Sequence, residues 1–182
     1  PIKWLLHEAF NETLNFIISF INSAVEKYSH SEYELKDIKE ITLYIGDTEV
    51  QQYASNAIWG MHRGTIGPVV PYLLQSVHMA LEKTLLEFAQ HLDSKIVENI
   101  LINILTSSKS ASLTSLVCSV VLAYPDRFSD IALILFRTIE LFHFDSIRQL
   151  NEFHAKLNYS IGYGINKLSD ILYADERLKT CD

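Results

Sequence analysis

Cysteine is nearly missing: 182 residues hold two, Cys118 in an apolar stretch and Cys181 near the end. So sparse a pair supplies neither a disulfide framework nor the ligand spacing of a zinc site. Basic charge is also short, with 15 Lys and Arg against 22 Asp and Glu and a formal net charge of -7. Nucleic-acid binding needs clustered cations to neutralise phosphates, and no such cluster is present. No apolar run approaches the roughly 20 residues of a membrane-spanning helix; the longest are of the size of Leu116 to Tyr124. A secretory leader is not expected either. These deficits lead to the expectation of a soluble protein of the reducing cytoplasm. The chain opens on Pro1 rather than Met, which leads to the further expectation of a piece of a longer polypeptide.

Catalytic signatures are equally scarce. There is no G-x-S-x-G elbow, no H-E-x-x-H pair, and no G-x-x-x-x-G-K-[ST] loop, so the common nucleophile, zinc-protease and nucleotide motifs are excluded. The seven histidines are scattered. Cys118 lies among core-type residues, where a thiol behaves as a small hydrophobe.

What the chain does have is apolar periodicity, on 48% hydrophobic residues. From Trp4 to Tyr28, Phe10, Leu14, Ile17, Ile21, Val25 and Tyr28 recur at steps of three and four, which predicts one long amphipathic helix. Glu40 to Ile45 and Thr48 to Tyr53 alternate around Gly46-Asp47, the pattern of a β-hairpin. A lone hairpin is marginal in water, so it must dock on helices or on strands from elsewhere. Pro71 suits a helix start, and Leu73, Val77, Leu81, Leu85, Phe88 and Leu92 mark its buried stripe. Asp93-Ser94 can cap the next helix, which carries Ile96 to Leu105. Ala111 to Tyr124 is apolar or small on nearly every side and is expected to be enclosed by neighbours. Pro125-Asp126 stops it. A short helix over Ile131 to Phe136 follows, then a long pattern from Ser146 through Leu172, interrupted at Gly162 and Gly164.

The expected fold is therefore mainly α: antiparallel helix pairs, as a HEAT-like α-solenoid or an irregular bundle, with one small β-hairpin. Residues 1–57 form a helix-plus-hairpin opening section and 58–182 a stacked helical region, read as one continuous unit. No clean repeat period decides between solenoid and bundle.

The segment Gly60-Met61-His62-Arg63-Gly64-Thr65-Ile66-Gly67 raises the question of a phosphate cradle. Pro68 and Pro71 remove amide donors that a cradle would use, and the P-loop lysine is missing, so a linker is the preferred reading. Arg63, with His62 beside it, is an interaction candidate because a guanidinium can clamp a carboxylate or phosphate in two-pronged fashion. His78 and Glu82 stand four apart, on a flank of the buried stripe that is expected to be exposed, where an i,i+4 pair stabilises a helix. No third ligand accompanies them, so neither a metal nor another cofactor is expected. The opposing reading is a helical hydrolase whose site combines His62, Arg63, His78 and Glu82. It requires those groups to converge on one concave pocket.

The stretch Ile58-Trp59-Gly60-Met61-His62-Arg63-Gly64, then Pro71-Tyr72-Leu73-Leu74-Gln75-Ser76-Val77-His78-Met79-Ala80-Leu81-Glu82-Lys83, resembles the helical region of large bacterial STAND-type ATPases of antiviral (AVAST-like) defence. Leu113 to Pro125 is similar to the same region, and the likeness covers about residues 50–150. His62 and Thr84 depart from it, standing where that pattern has aromatic residues. The resemblance implies a non-catalytic recognition or scaffold segment with the ATP-binding module and effector elsewhere. Its partner would be a viral protein or other domains of the same polypeptide, and the full-length protein would form homo-oligomers on activation.

Overall fold

The helix expected to be enclosed sits at the centre of the molecule. The computed structural model describes residues 2–31, 37–63 and 71–163, the last eleven of these and Arg63 by their backbone alone. Among these residues the elements are α1 (Ile2–Glu8), α2 (Phe10–Ser29), β1 (Lys39–Ile45), β2 (Thr48–Ala54), α3 (Asn56–Trp59), a 3-10 turn (Gly60–Arg63), α4 (Tyr72–His91), α5 (Ser94–Ser107), α6 (Ala111–Ala123), α7 (Ser129–Phe136) and α8 (Ile139–Tyr163). The fold is mainly helical with one hairpin. α6 is buried from Ala111 through Val117 and again at Ser119, Val120 and Val121, because α3, α4, α5, α7, the 3-10 turn and β2 all pack on it.

Of the two architectures open to the sequence, the described residues form the irregular bundle. α1 touches α4, α2 touches β2 and α3 touches α8, whereas solenoid units meet only their sequence neighbours. One buried cluster runs from Leu6 to Phe144 and takes residues from every helix and both strands.

The hairpin pairs Lys39 with Ala54 through Ile45 with Thr48, closed by Gly46 and Asp47. Gly46 has φ of +59°, as a type II′ turn requires of its first central residue, and among the described residues no non-glycine residue has positive φ. The hairpin docks on helices. Ile41 and Leu43 point into the core, Thr138 Oγ1 donates to the Thr42 carbonyl at 3.1 Å, and the Tyr53 amide donates to the Lys109 carbonyl at 2.8 Å. The α5–α6 loop is also held by Asn22, whose side chain accepts from the Lys109 amide and donates to the Ser107 carbonyl, each at 2.8 Å.

The single helix predicted from Trp4 to Tyr28 is two helices. Ala9 leaves the helical region, at φ −143° and ψ 68°, and α1 turns aside to lie against α4, where Lys3 Nζ reaches Glu87 at 2.8 Å. Leu6 is fully buried, and its spacing to Phe10 and Leu14 continues the helical stripe, so no local signal marked the break. Tertiary packing overrides propensity here. The linker expected from Ile58 onward begins as structure: Ser55 caps α3 by accepting from the Ile58 amide, and Trp59 is completely enclosed. Asp93 caps α5 as expected, accepting from the Lys95 amide at 2.8 Å. α8 starts earlier than Ser146, and the part of its pattern beyond Tyr163 lies outside the described residues, as do Gly64, Gly67 and Pro68.

Behind α6, Arg127 closes the α4–α5 corner. Its guanidinium donates to the carbonyls of Ala89 and Leu92 and to Ser94 Oγ, occupying oxygens that the end of α4 cannot use.

Enclosure of α6 makes Leu113 and Leu116, both fully buried, especially sensitive side chains. Leu116→Ala should lose about 3 kcal/mol of unfolding free energy, through transfer and cavity terms. Ile96→Ala, at a position 53% exposed, should stay within about 0.5 kcal/mol. Urea titration followed by far-ultraviolet dichroism measures both, and equal losses would mean that α6 is not the packed centre.

Candidate functional site

A helix enclosed on every side can carry hydroxyls only if each finds a partner, since an unsatisfied buried polar group costs about 1–3 kcal/mol. α6 and its approach carry Ser108, Ser110, Ser112, Thr114, Ser115 and Ser119, all buried. Their partners come from three directions and include three of the four sequence candidates.

Glu82, on α4, accepts from Ser119 Oγ at 2.5 Å. One turn earlier, His78 Nδ1 lies 2.7 Å from the Leu74 carbonyl and Nε2 lies 2.8 Å from Ser112 Oγ. A carbonyl can only accept, so Nδ1 carries the proton and Nε2 accepts from Ser112. Ser112 Oγ is in turn 2.8 Å from Ser110 Oγ, completing a chain of two hydroxyls and an imidazole. The pairs 78 with 112 and 82 with 119 advance together, so α4 and α6 run in the same sense with α5 returning between them.

His62 reaches the same layer from the 3-10 turn. Ser115 Oγ donates to the Ser112 carbonyl at 2.7 Å and accepts from His62 Nδ1 at 3.1 Å, while His62 Nε2 stands 3.9 Å from Glu82 Oε1. On the opposite flank, Gln52 of β2 accepts from Thr114 Oγ1 at 2.6 Å and donates to the Ser108 carbonyl at 3.1 Å.

This corrects the expected placement of the candidates. The flank of α4 bearing His78 and Glu82 is not exposed; His62, His78 and Glu82 are 1%, 1% and 0% exposed and cannot anchor a partner from those positions. His78 and Glu82 serve different serines of α6 rather than forming a surface pair. The Arg63 side chain lies outside the described residues. The participants that the sequence reading missed are Ser112, Ser115 and Ser119 on α6, with Gln52 and Thr114. Their spacing of three and four held the signal, a hydroxyl stripe one helical face wide.

A cavity of about 190 Å³ opens beside this layer, lined by Ile21, Val25, Ile58 and Leu74 together with His78 and Ser112. Neither His62 nor Glu82 lines it, so this cavity does not bring together the groups proposed for a hydrolase. The Ser112–His78 distance is that of a nucleophile and its base, but burial pulls the imidazole down to about 4, against a smaller upward pull from the Leu74 carbonyl. A base that weak is poorly matched to proton abstraction near neutral pH. No group of three or more His, Cys, Asp or Glu side chains that could hold a metal ion occurs among the described residues. No helix there is long and apolar enough to cross a membrane.

A second, wholly different concavity of about 180 Å³ lies between α6, α7 and the start of α8, floored by Trp59, Cys118, Leu135 and Leu141 and edged by Phe136 and Phe142. The two edge rings stack at 5.5 Å and are both exposed, as are the nearby Leu122, Leu133 and Ile139. Trp59 fixes this end of α8: its Nε1 donates to Asp145 Oδ1 at 3.2 Å, and Arg148 pairs with Asp145 and Glu152, each at 2.7 Å. No protein-family model matches the chain, and no curated protein matches it.

The neutral His78 has a pH consequence. The unfolded chain protonates this residue near 6.5, whereas the folded chain resists until about 4. The unfolded state therefore binds more protons in that window, and folding stability drops as pH falls through it. Between pH 7 and pH 5, wild type should lose about 2 kcal/mol more than His78→Gln, read from urea midpoints at the two values. Equal losses would mean that the imidazole is solvated or charged in the fold.

Proposed function

We propose that this chain is a non-catalytic recognition or scaffold segment of a larger cytoplasmic STAND-type ATPase of antiviral defence, with a viral protein as its target. The observation that carries the reading is a reversal of what an enzyme of this size needs. His62, His78 and Glu82 are spent on holding α6 inside the bundle, while large apolar side chains stand in solvent at Leu122, Phe136 and Phe142 around one concavity, with Leu133 and Ile139 exposed on the same two helices, α7 and α8. Water-exposed aromatic and aliphatic groups gathered around a groove are characteristic of protein-binding surfaces. The resemblance of residues 50–150 to the helical part of those ATPases supports the wider context. It also accords with the missing P-loop, since the nucleotide module of such proteins is a separate domain. The hydrolase built on His62, Arg63, His78 and Glu82 is the weaker reading, because His62 and Glu82 do not line the cavity that His78 borders.

The reading is tested on the full-length polypeptide. Its coding sequence should contain a P-loop module, and its ATP hydrolysis should rise when individual phage proteins are added. Phe136→Ser combined with Ile139→Ser should reduce that stimulation by about tenfold or more, a hot-spot-sized effect. A polypeptide without a nucleotide-binding module, or stimulation indifferent to the double substitution, would overturn the proposal.

A further inference from the structure

We infer that the cavity between α2, α3, α4 and the start of α6 is a binding site for a small neutral ring compound that donates a hydrogen bond, a phenol in its simplest form. The site is separate from the α6–α7–α8 groove and does not rest on the recognition reading. Its lining is largely apolar. Ile21, Ala24 and Val25 come from α2, Ala57 and Ile58 from α3, and Leu74 from α4. Native interiors leave few voids larger than a water molecule, and an apolar cavity of roughly 150 Å³ holds a benzene. At about 190 Å³, this one admits a single aromatic ring with a substituent. Pro71 is exposed and Met61 half-buried, and both line it, so a ligand has a way in from the surface.

The placement of protons at the His78 end selects the functional group. Nδ1 of His78 donates to the Leu74 carbonyl, so Nε2 accepts the proton of Ser112 Oγ. A hydroxyl has one proton. With that of Ser112 engaged, the 2.8 Å bond between the two serines is donated by Ser110. Ser110 Oγ also accepts from the Ser112 amide at 3.3 Å. Both hydroxyl protons are thereby committed, while each oxygen keeps one lone pair. Ser110 and Ser112 line the cavity and offer it acceptors without a donor. A ligand hydroxyl is matched by these oxygens, whereas a nitrile or carbonyl would set lone pair against lone pair. Among the described residues that line the cavity none carries a charge, since burial keeps the imidazole neutral. A carboxylate or ammonium would be desolvated there with no counter-charge.

The probes are p-cresol, p-xylene and benzonitrile, which are alike in size and offer respectively a donor, no polar group and an acceptor alone. Binding to the intact chain is measured by NMR titration, and its place by shifts of the Ile21 and Ile58 methyl signals. In a purely apolar void p-xylene would bind best, because a buried hydroxyl without a partner is destabilising. With the serine oxygens available, p-cresol should bind at least about threefold more tightly than p-xylene and about tenfold more tightly than benzonitrile. Ala24→Leu and Ala57→Leu each add carbons at the cavity wall and should weaken p-cresol by about tenfold or more. They sit on different helices, so a fold lost in one, seen by far-ultraviolet dichroism, leaves the other. Ala132→Leu fills the α6–α7–α8 concavity instead and should change nothing. Benzonitrile or p-xylene binding as tightly as p-cresol would overturn the inference, as would no binding at all. So would unshifted Ile21 and Ile58 methyls, or p-cresol affinity that survives the folded filling variants or falls with Ala132→Leu.

Discussion

The obligation to satisfy the hydroxyls of an enclosed α6 organises the rest of the molecule. Its serines and Thr114 would destabilise a purely hydrocarbon surround by about 1–3 kcal/mol each if left unpaired. They are met instead by an imidazole and a carboxylate from α4, an imidazole from the 3-10 turn and a carboxamide from β2. These bonds have direction where leucine contacts do not. They therefore set the rotation of α4 and the seating of the hairpin, and make one arrangement of the helices preferable to others with similar apolar burial. Trp59 performs a comparable task at the other end of α6, joining α3 to α8 through a ring stack with Phe144 and a hydrogen bond to Asp145.

Local periodicity made much of this legible. The hairpin with its Gly46-Asp47 turn, the Asp93 cap and the enclosed character of α6 are consequences of spacing and cap chemistry that act within a few residues. The break at Ala9 is different, because the side chains that reward it belong to α4, some eighty positions away, and no sequence window contains both. The same applies to His78 and Glu82. Their four-residue spacing is equally good for a solvated pair and for two hydrogen bonds to a second helix, and only the position of α6 distinguishes them. The hydroxyl stripe was present in the sequence, but small residues mixed with leucine resemble packing filler until a neighbour supplies acceptors. The choice between stacked repeats and a bundle was a question of which distant elements touch, which periodicity does not encode.

The division of labour between interior and surface bears on function. His62, His78 and Glu82 act inside the fold as struts, and exposed apolar side chains beside the α6–α7–α8 groove stand out on its exterior. The α6–α7–α8 groove combines such side chains with a floor held by Trp59, Leu135 and Leu141, all buried or nearly so. A preformed floor lowers the entropy lost when an occupant settles, which favours recognition by shape over recognition by induced ordering.

Arg127 carries one last implication. Its planar head spans two carbonyls of α4 and the hydroxyl at the start of α5 at once, a fork that a lysine ammonium does not reproduce. The corner is thereby latched from outside, so thermal opening of the bundle should begin elsewhere and reach the α4–α5 hinge late. Amide protons there would be among the slowest to trade with solvent, although the corner lies near the surface.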